Sequence, residues 1–142
     1  MAFIQPCFIR KNTTELRKKL EELGYKYSTV GGIKSNNIIV SLGCIFDIYP
    51  IDTIKRGFNN CIDCGINEEL FLALAALRDD TNENQWFIAQ DTMWDENYNG
   101  EITVYYEENE WLMWGYYSLI EEMPSDFRKA TVEEIIAHFN NQ

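Results

Sequence analysis

NEELFLALAALR, residues 67–78, contains the longest uninterrupted apolar run of the chain, residues 70–77. Asn67 is a favoured N-cap residue, and Glu68 and Glu69 follow it in what would be the first helical turn. The segment therefore predicts a helix that is apolar on almost every face and buried in the core. The run is far shorter than the roughly 20 apolar residues that a membrane span needs.

Strand patterns follow this helix. Four segments are rich in aromatic and β-branched residues and predict a meander: residues 86–89, 93–98, 101–107 and 111–119. Asn99-Gly100 is the strongest short hairpin signal in the chain. Alternation places Ile102, Val104 and Tyr106 on one face of their strand and leaves the other face for water.

The rest of the chain adds strands and two more helices. Asn12 or Thr13 caps a predicted helix that ends near Leu23, where Gly24 stops it, and Thr131 opens the last helix. Strands are predicted at residues 2–9, 25–30, 37–41 and 44–49, with Gly31-Gly32 as a turn. With 142 residues and 46% hydrophobic residues, we predict one α+β domain over residues 1–142, with a mainly antiparallel sheet and two or three helices packed on it.

The negative charge is concentrated in the second half of the chain. The net charge is −11, and residues 79–127 hold thirteen acidic residues, no Lys, Arg or His, and all four tryptophans. Such a field repels nucleic-acid phosphates and attracts basic protein surfaces. High acidity also serves solubility alone, so this second interpretation stays open.

The sequence predicts a partner-binding face within residues 79–126. Strand alternation leaves some of its aromatic residues outside beside carboxylates, and exposed Trp and Tyr commonly anchor interfaces. The predicted contact residues are Asp79, Asp80, Trp94, Asp95, Tyr98, Tyr105, Glu107, Glu108 and Glu110. We expect a basic protein partner, with no direct contact to nucleic acid or membrane.

No catalytic motif is present. The only histidine, His138, lies on the last predicted helix, and the sequence has no G-x-S-x-G, no phosphate-binding glycine loop and no H-E-x-x-H. We therefore expect a non-catalytic protein without a cofactor. The amino terminus has neither a basic start nor a signal-like apolar stretch, so we expect a cytoplasmic protein.

Two patterns leave a metal site open, although the prediction is that no metal is bound. Cys61 and Cys64 form a C-x-x-C motif that Cys7 and Cys44 could complete, but reduced structural thiols are the preferred interpretation. The segment Asp95-x-Asn97-x-Asn99-Gly100 has calcium-loop spacing, but its twelfth position is Tyr106 instead of Glu. A plain hairpin turn is the preferred interpretation there.

An alternative function is the binding of a small molecule such as a nucleotide signal. Arg10, Lys11 and Arg128 precede predicted helices and could contact an anion there, while aromatic side chains stack on a ring. A structural component of a phage particle is a further alternative, and its signature is self-association. The sequence does not give the oligomeric state.

Parts of the chain resemble small uncharacterised proteins of bacteriophages and mobile elements of gut bacteria. The matching segments are residues 8–13, 15–25, 64–65, 67–81, 85–87 and 129–134. The resemblance implies a mobile-element setting and a mixed α and β fold, and it brings no known activity. Residues 90–126 lie outside it. We therefore expect an accessory protein that binds a basic partner, as an inhibitor of a host defence or nucleic-acid-binding factor.

Overall fold

A computed structural model of the protein describes residues 3–28, 38–48, 60–114 and 127–140. Three helices lie within these ranges: α1 Thr14–Leu23, α2 Glu68–Ala75 and α3 Val132–Asn140. Ten strands lie within them: β1 Cys7–Ile9, β2 Lys26–Tyr27, β3 Ile39–Leu42, β4 Ile45–Ile48, β5 Ile62–Asp63, β6 Gln85–Ala89, β7 Met93–Glu96, β8 Ile102–Tyr106, β9 Trp111–Trp114 and β10 Phe127–Lys129.

The α+β class is confirmed. Within the described ranges, five strand pairings are antiparallel and two are parallel. The strands form three sheets instead of one, and the chain groups into two compact units, Met1–Asp80 with Val132–Gln142 and Thr81–Thr131. That the two units make one domain stays a prediction.

The first unit contains a five-stranded sheet in the order β2-β4-β3-β1-β5. β1 is an interior strand, paired antiparallel with β3 and parallel with β5, and its three residues are buried. β2 pairs parallel with β4, a non-local pairing that the local pattern did not predict. The predicted Gly31-Gly32 turn lies outside the described residues.

The caps of the first two helices are as predicted. The Thr13 hydroxyl accepts from the Leu16 N–H and the Asn67 side chain accepts from the Leu70 N–H, each at 3.1 Å. Gly24 ends α1 with φ +113°, a left-handed conformation that glycine adopts without steric cost.

α2 is buried as predicted, but it ends at Ala75 instead of near Arg78. The Leu77 C=O accepts from the Ile4 N–H at 3.1 Å, and Arg78 forms an isolated bridge with Phe3. The chain leaves the helix early because residues 77–78 pair with the segment before β1. The core here is made by side chains of all three helices: Leu16, Leu20, Phe71, Leu74 and Ile135.

The second unit contains a three-stranded sheet, β10-β6-β9, and the separate pair β7-β8. The four strands are therefore no simple meander, because β6 pairs with β9 and not with β7. The β7-β8 hairpin is inserted between these two paired strands. The core of the second unit consists of Phe87, Ala89 and Phe127, with Met93, Tyr106 and Leu112 packed against them.

None of the helices in the described ranges is both long and apolar enough to cross a membrane.

Candidate functional site: the acidic hairpin

The segment of residues 91–110, which we call the acidic hairpin, comprises β7, β8 and the turns beside them. Its central turn is organised by Asn97, whose side-chain oxygen accepts from the N–H of Asn99 at 2.9 Å and of Glu101 at 3.0 Å. The Asn97 N–H donates to the Glu101 C=O at 3.0 Å, and Gly100 has φ +81°. Asn and Gly suit this turn because they tolerate such local bonding and positive φ.

The acidic hairpin carries uncompensated negative charge. Its sequence has no Lys, Arg or His, and its carboxylates are Asp91, Asp95, Glu96, Glu101, Glu107, Glu108 and Glu110. All seven are exposed, and none forms an ion pair within the described part of the chain. Because no cation of the hairpin neutralises them, their field extends into solvent over about a Debye length, ~8 Å at physiological salt.

Large apolar side chains are exposed on the same hairpin. Tyr98 is 97% exposed, Ile102 64%, Trp94 and Tyr105 58% each, and Val104 50%. Trp94 lies opposite Val104, and Glu96 lies opposite Ile102, so these four share one face of the pair. The other face carries Tyr105 and also Asp95, which lies opposite Thr103. Both faces thus combine apolar surface with carboxylates.

An open recess of about 440 Å³ follows β8 into the next turn. Its lining is continuous in sequence: Val104, Tyr105, Tyr106, Glu107, Glu108, Asn109 and Glu110. The turn is held by the Glu110 carboxylate, which accepts from the Glu107 N–H at 3.0 Å, and by Thr92, whose hydroxyl accepts from the Glu108 N–H at 3.1 Å. Carboxylates beside an aromatic ring suit a Lys or Arg side chain.

The structure brings most of the predicted partner-binding residues together. Seven of them lie on the acidic hairpin and are exposed: Trp94, Asp95, Tyr98, Tyr105, Glu107, Glu108 and Glu110. Asp79 and Asp80 belong to the first unit instead. Arg78 forms an ion pair with Asp80 at 2.9 Å and lowers the pKa of that carboxyl. Residues 115–126 of the predicted face lie outside the described residues.

Sequence reasoning predicted the exposed aromatic residues of this site but missed the exposed aliphatic ones, Ile102 and Val104. Alternation placed Ile102, Val104 and Tyr106 on an inward face, yet only Tyr106 reaches the core, where its ring meets Phe127 edge-on at 4.9 Å. The first two lie outside the core cluster around Phe127 and are 64% and 50% exposed. The sequence did contain a signal for this exposure, namely the predicted Asn99-Gly100 hairpin. A hairpin of two strands has no further element of its own to bury its faces.

The calcium-like loop is organised as a turn. The oxygens that its spacing offered accept from the backbone: Asn97 bonds Asn99 and Glu101, and Asp95 accepts from the Glu96 N–H at 2.9 Å. Among the residues that the structure describes, no group of three or more His, Cys, Asp or Glu side chains is placed to hold a metal ion.

The four cysteines are free thiols in three environments. Cys7 and Cys64 are buried, Cys61 is half-buried and Cys44 is exposed. Burial raises the pKa of the Cys7 thiol, and burial together with nearby Cys7 and Asp63 raises the pKa of Cys61 to about 12. Cys7 and Cys61 are therefore protonated at neutral pH, whereas thiolate is the metal ligand and nucleophile.

Two of the three basic residues of the small-molecule alternative have acidic neighbours in the first unit. Arg10 forms an ion pair with Asp63 at 2.7 Å and Lys11 forms one with Glu68 at 3.5 Å. Arg128 lies exposed on β10 in the second unit. The structure therefore gives no joint anion site for these three residues in either unit, and the small-molecule function stays a prediction.

The chain matches no protein-family profile, no curated protein and no solved structure.

Proposed function

We propose that this protein is a non-catalytic accessory protein of a phage or mobile element that binds a basic protein partner through the acidic hairpin. In this proposal it acts in the host cytoplasm as an inhibitor of a defence or nucleic-acid-binding factor. The observation that carries it is the set of seven exposed carboxylates without ion pairs, beside exposed aromatic residues. The mobile-element setting rests on the sequence resemblance alone.

The charge supports a protein partner of opposite sign. Complementary potentials steer encounter and raise the association rate, whereas phosphate backbones are repelled by the same field. A nucleic-acid-binding factor presents the basic surface that such a field attracts. The proposed binding competes with that factor's own ligand because both would use the same basic residues.

The exposed aromatic residues supply binding free energy that the charges alone do not supply. An exposed ion pair between a carboxylate and a basic side chain contributes little affinity. A Trp or Tyr anchor that becomes buried in an interface often contributes about 2 kcal/mol or more. Trp94 and Tyr105 are the candidate anchors because each combines a large exposed ring with carboxylates on the same face. Carboxylates would thus set the rate and selectivity, and the rings would set the lifetime of the complex.

The test compares two variants with equal loss of charge. The first replaces Glu107, Glu108 and Glu110 by Gln, which keeps a side-chain oxygen for the Glu107 N–H. The control replaces Glu15, Glu21 and Glu22 on α1 by Gln. These three are also exposed and form no ion pair within the described residues. Immobilised proteins are exposed to host lysate at low and high salt, and retained proteins are identified by mass spectrometry.

The expected result is a basic protein that the wild type and the α1 control retain and the hairpin variant loses. With that protein purified, its association rate falls about tenfold for the hairpin variant and also falls as salt rises. Equal retention by all three proteins contradicts the acidic-hairpin proposal. A partner with an acidic or neutral surface contradicts it as well.

A further inference from the structure

β8 is an open edge of its two-stranded sheet. One side of the strand pairs with β7, and within the described ranges no strand pairs with the other side. Its five residues, Ile-Thr-Val-Tyr-Tyr, are all strong strand formers and include no charge and no proline. Folded proteins commonly protect such edges with Lys, Pro or a covering element, because an open edge is a template for another strand.

The register shows which backbone groups of β8 point outward. The Asn97 N–H donates to the Glu101 C=O at 3.0 Å, so residues 97 and 101 occupy a hydrogen-bonded position of the ladder, where the Glu101 N–H donates to the Asn97 side-chain oxygen instead of its C=O. Since such pairs alternate along an antiparallel ladder, Asp95 and Thr103 form the next one. Ile102 lies between these two pairs and Val104 follows the second one. The N–H and C=O groups of both residues therefore point away from β7.

We propose that β8 accepts an extended segment of the partner as an added strand, and that this segment alternates apolar and basic side chains. The inference rests on the proposed function and names its mode of recognition. Backbone bonds to Ile102 and Val104 provide the pairing, as in other cases of strand addition. The apolar side chains of the segment lie beside Ile102 and Val104, and the basic ones lie beside Tyr105 and the carboxylate-lined recess.

Charge identifies the occupant as a basic segment and not a second copy of this chain. Antiparallel pairing of two β8 strands about Val104 would place Glu101 opposite Glu107 at both ends, and like charges opposite each other destabilise a pair. The whole chain carries a net charge of −11, which adds to the repulsion between copies. A basic strand removes both costs.

The test uses a blocked peptide of about ten residues, the upper length of common strands, in which Lys and Val alternate. A block peptide with the same composition, Lys residues first and Val residues second, is the control for charge alone. Two further peptides carry N-methyl groups on every Lys or on every Val. In an added strand one of these two sets donates to β8, so one methylated peptide loses binding about tenfold or more and the other keeps it.

The direct readout is amide hydrogen exchange of the full-length protein by NMR. The alternating peptide is expected to slow exchange at Ile102 and Val104 and to leave Thr103, which already bonds β7, unchanged. The variant Val104→Pro removes one outward N–H and no bond to β7, and it is compared with Val104→Thr. We expect about tenfold weaker peptide binding for the proline variant alone. If this variant does not fold, the methylated peptides carry the test.

Several outcomes overturn the added strand. If alternating and block peptides bind equally and neither protects the two amides, recognition is by charge alone, and the proposed function stands without strand addition. If Ile102 and Val104 are already protected in the free protein in a concentration-dependent way, a second copy occupies the edge. If neither peptide binds and no basic partner is retained from lysate, the proposed function fails together with this inference.

Discussion

Trp94 lies directly opposite Val104 across the β7-β8 pair, and half or more of each side chain is exposed. Side chains opposite each other in an antiparallel pair have Cβ atoms about 5 Å apart, so the two form a continuous apolar patch. Glu96 lies on the same face two residues after Trp94, and Glu101 directly precedes β8, so carboxylates border the patch on the side of the turn. An apolar centre with a charged rim is the usual anatomy of a protein interface.

Trp94→Ala should separate binding from stability. Because the indole is mostly exposed, we expect the free energy of unfolding to fall by less than about 1 kcal/mol. Binding of the partner should weaken by about 2 kcal/mol or more if the ring is an anchor. Urea unfolding and partner titration measure the two quantities.

Phe127→Ala is the matched control for this variant. Phe127 is buried against Phe87 and Ala89, so its removal leaves a cavity and should cost about 3–5 kcal/mol of unfolding free energy. A large loss of stability for Trp94→Ala would show that the ring is covered in solution. Unchanged partner binding by that variant would remove Trp94 from the interface.

Asn67 should matter more than an ordinary helix cap. Its oxygen accepts from the Leu70 N–H at 3.1 Å, and its amide nitrogen donates to the Phe139 C=O at 3.0 Å, which links α2 to the end of α3. We expect Asn67→Ala to cost about 2 kcal/mol, against about 1 kcal/mol for Thr13→Ala, which removes a cap alone. Chemical unfolding of both variants gives the comparison.

Asn67→Asp distinguishes the two bonds of this side chain. Aspartate keeps the cap acceptor and loses the amide donor, so its cost should lie between those of the wild type and Asn67→Ala. If Asn67→Ala costs no more than Thr13→Ala, the bond to Phe139 contributes nothing to stability.

Local signals in the sequence predicted the helices well and the strand partners poorly. The caps at Thr13 and Asn67 and the stop at Gly24 depend on neighbouring residues, so the pattern alone predicts them. The parallel pairing of β2 with β4 and the early end of α2 depend on distant segments. Likewise, alternation predicted the common face of Ile102 and Val104 but not its exposure, because exposure depends on what the rest of the chain covers.

The candidate site was predicted best where charge defines it. A stretch without cations is visible in sequence, and seven of the nine predicted partner-binding residues lie on the acidic hairpin. Asp80 was predicted on the same basis, yet Arg78 neutralises it at 2.9 Å. Composition counts charges, whereas an ion pair depends on geometry.

The thiols should react in the order of their exposure. Cys44 is exposed and should be alkylated first in the native protein. Cys61 should follow slowly, since it is half-buried and its raised pKa, about 12, leaves little thiolate at neutral pH. Cys7 and Cys64 are buried and should react only after unfolding.

Mass spectrometry of protein alkylated for increasing times measures this order. Cys44→Ser is the control variant and should remove the fast phase alone. Rapid alkylation of Cys7 in the native protein would contradict the buried position of β1.

The ion pair between Arg10 and Asp63 should make stability depend on pH in the acid range. Bonding to Arg10 lowers the pKa of Asp63 in the folded chain below its ordinary value near 3.8. The unfolded chain therefore binds a proton more readily, so the stabilisation is complete above about pH 4 and is lost as pH falls through the lowered pKa. Asp63→Asn should reduce the free energy of unfolding above pH 4, and its difference from the wild type should shrink at lower pH.

Urea unfolding at a series of pH values measures this difference. Both side chains are more than 40% exposed, so the effect should be small and should weaken in high salt. In an Arg10→Gln background the pH dependence should be reduced, and the part that remains comes from the Gly65 N–H, which donates to Asp63 at 2.9 Å. A difference between wild type and Asp63→Asn that stays constant from pH 2 to pH 7 would show that the pair does not stabilise the folded chain.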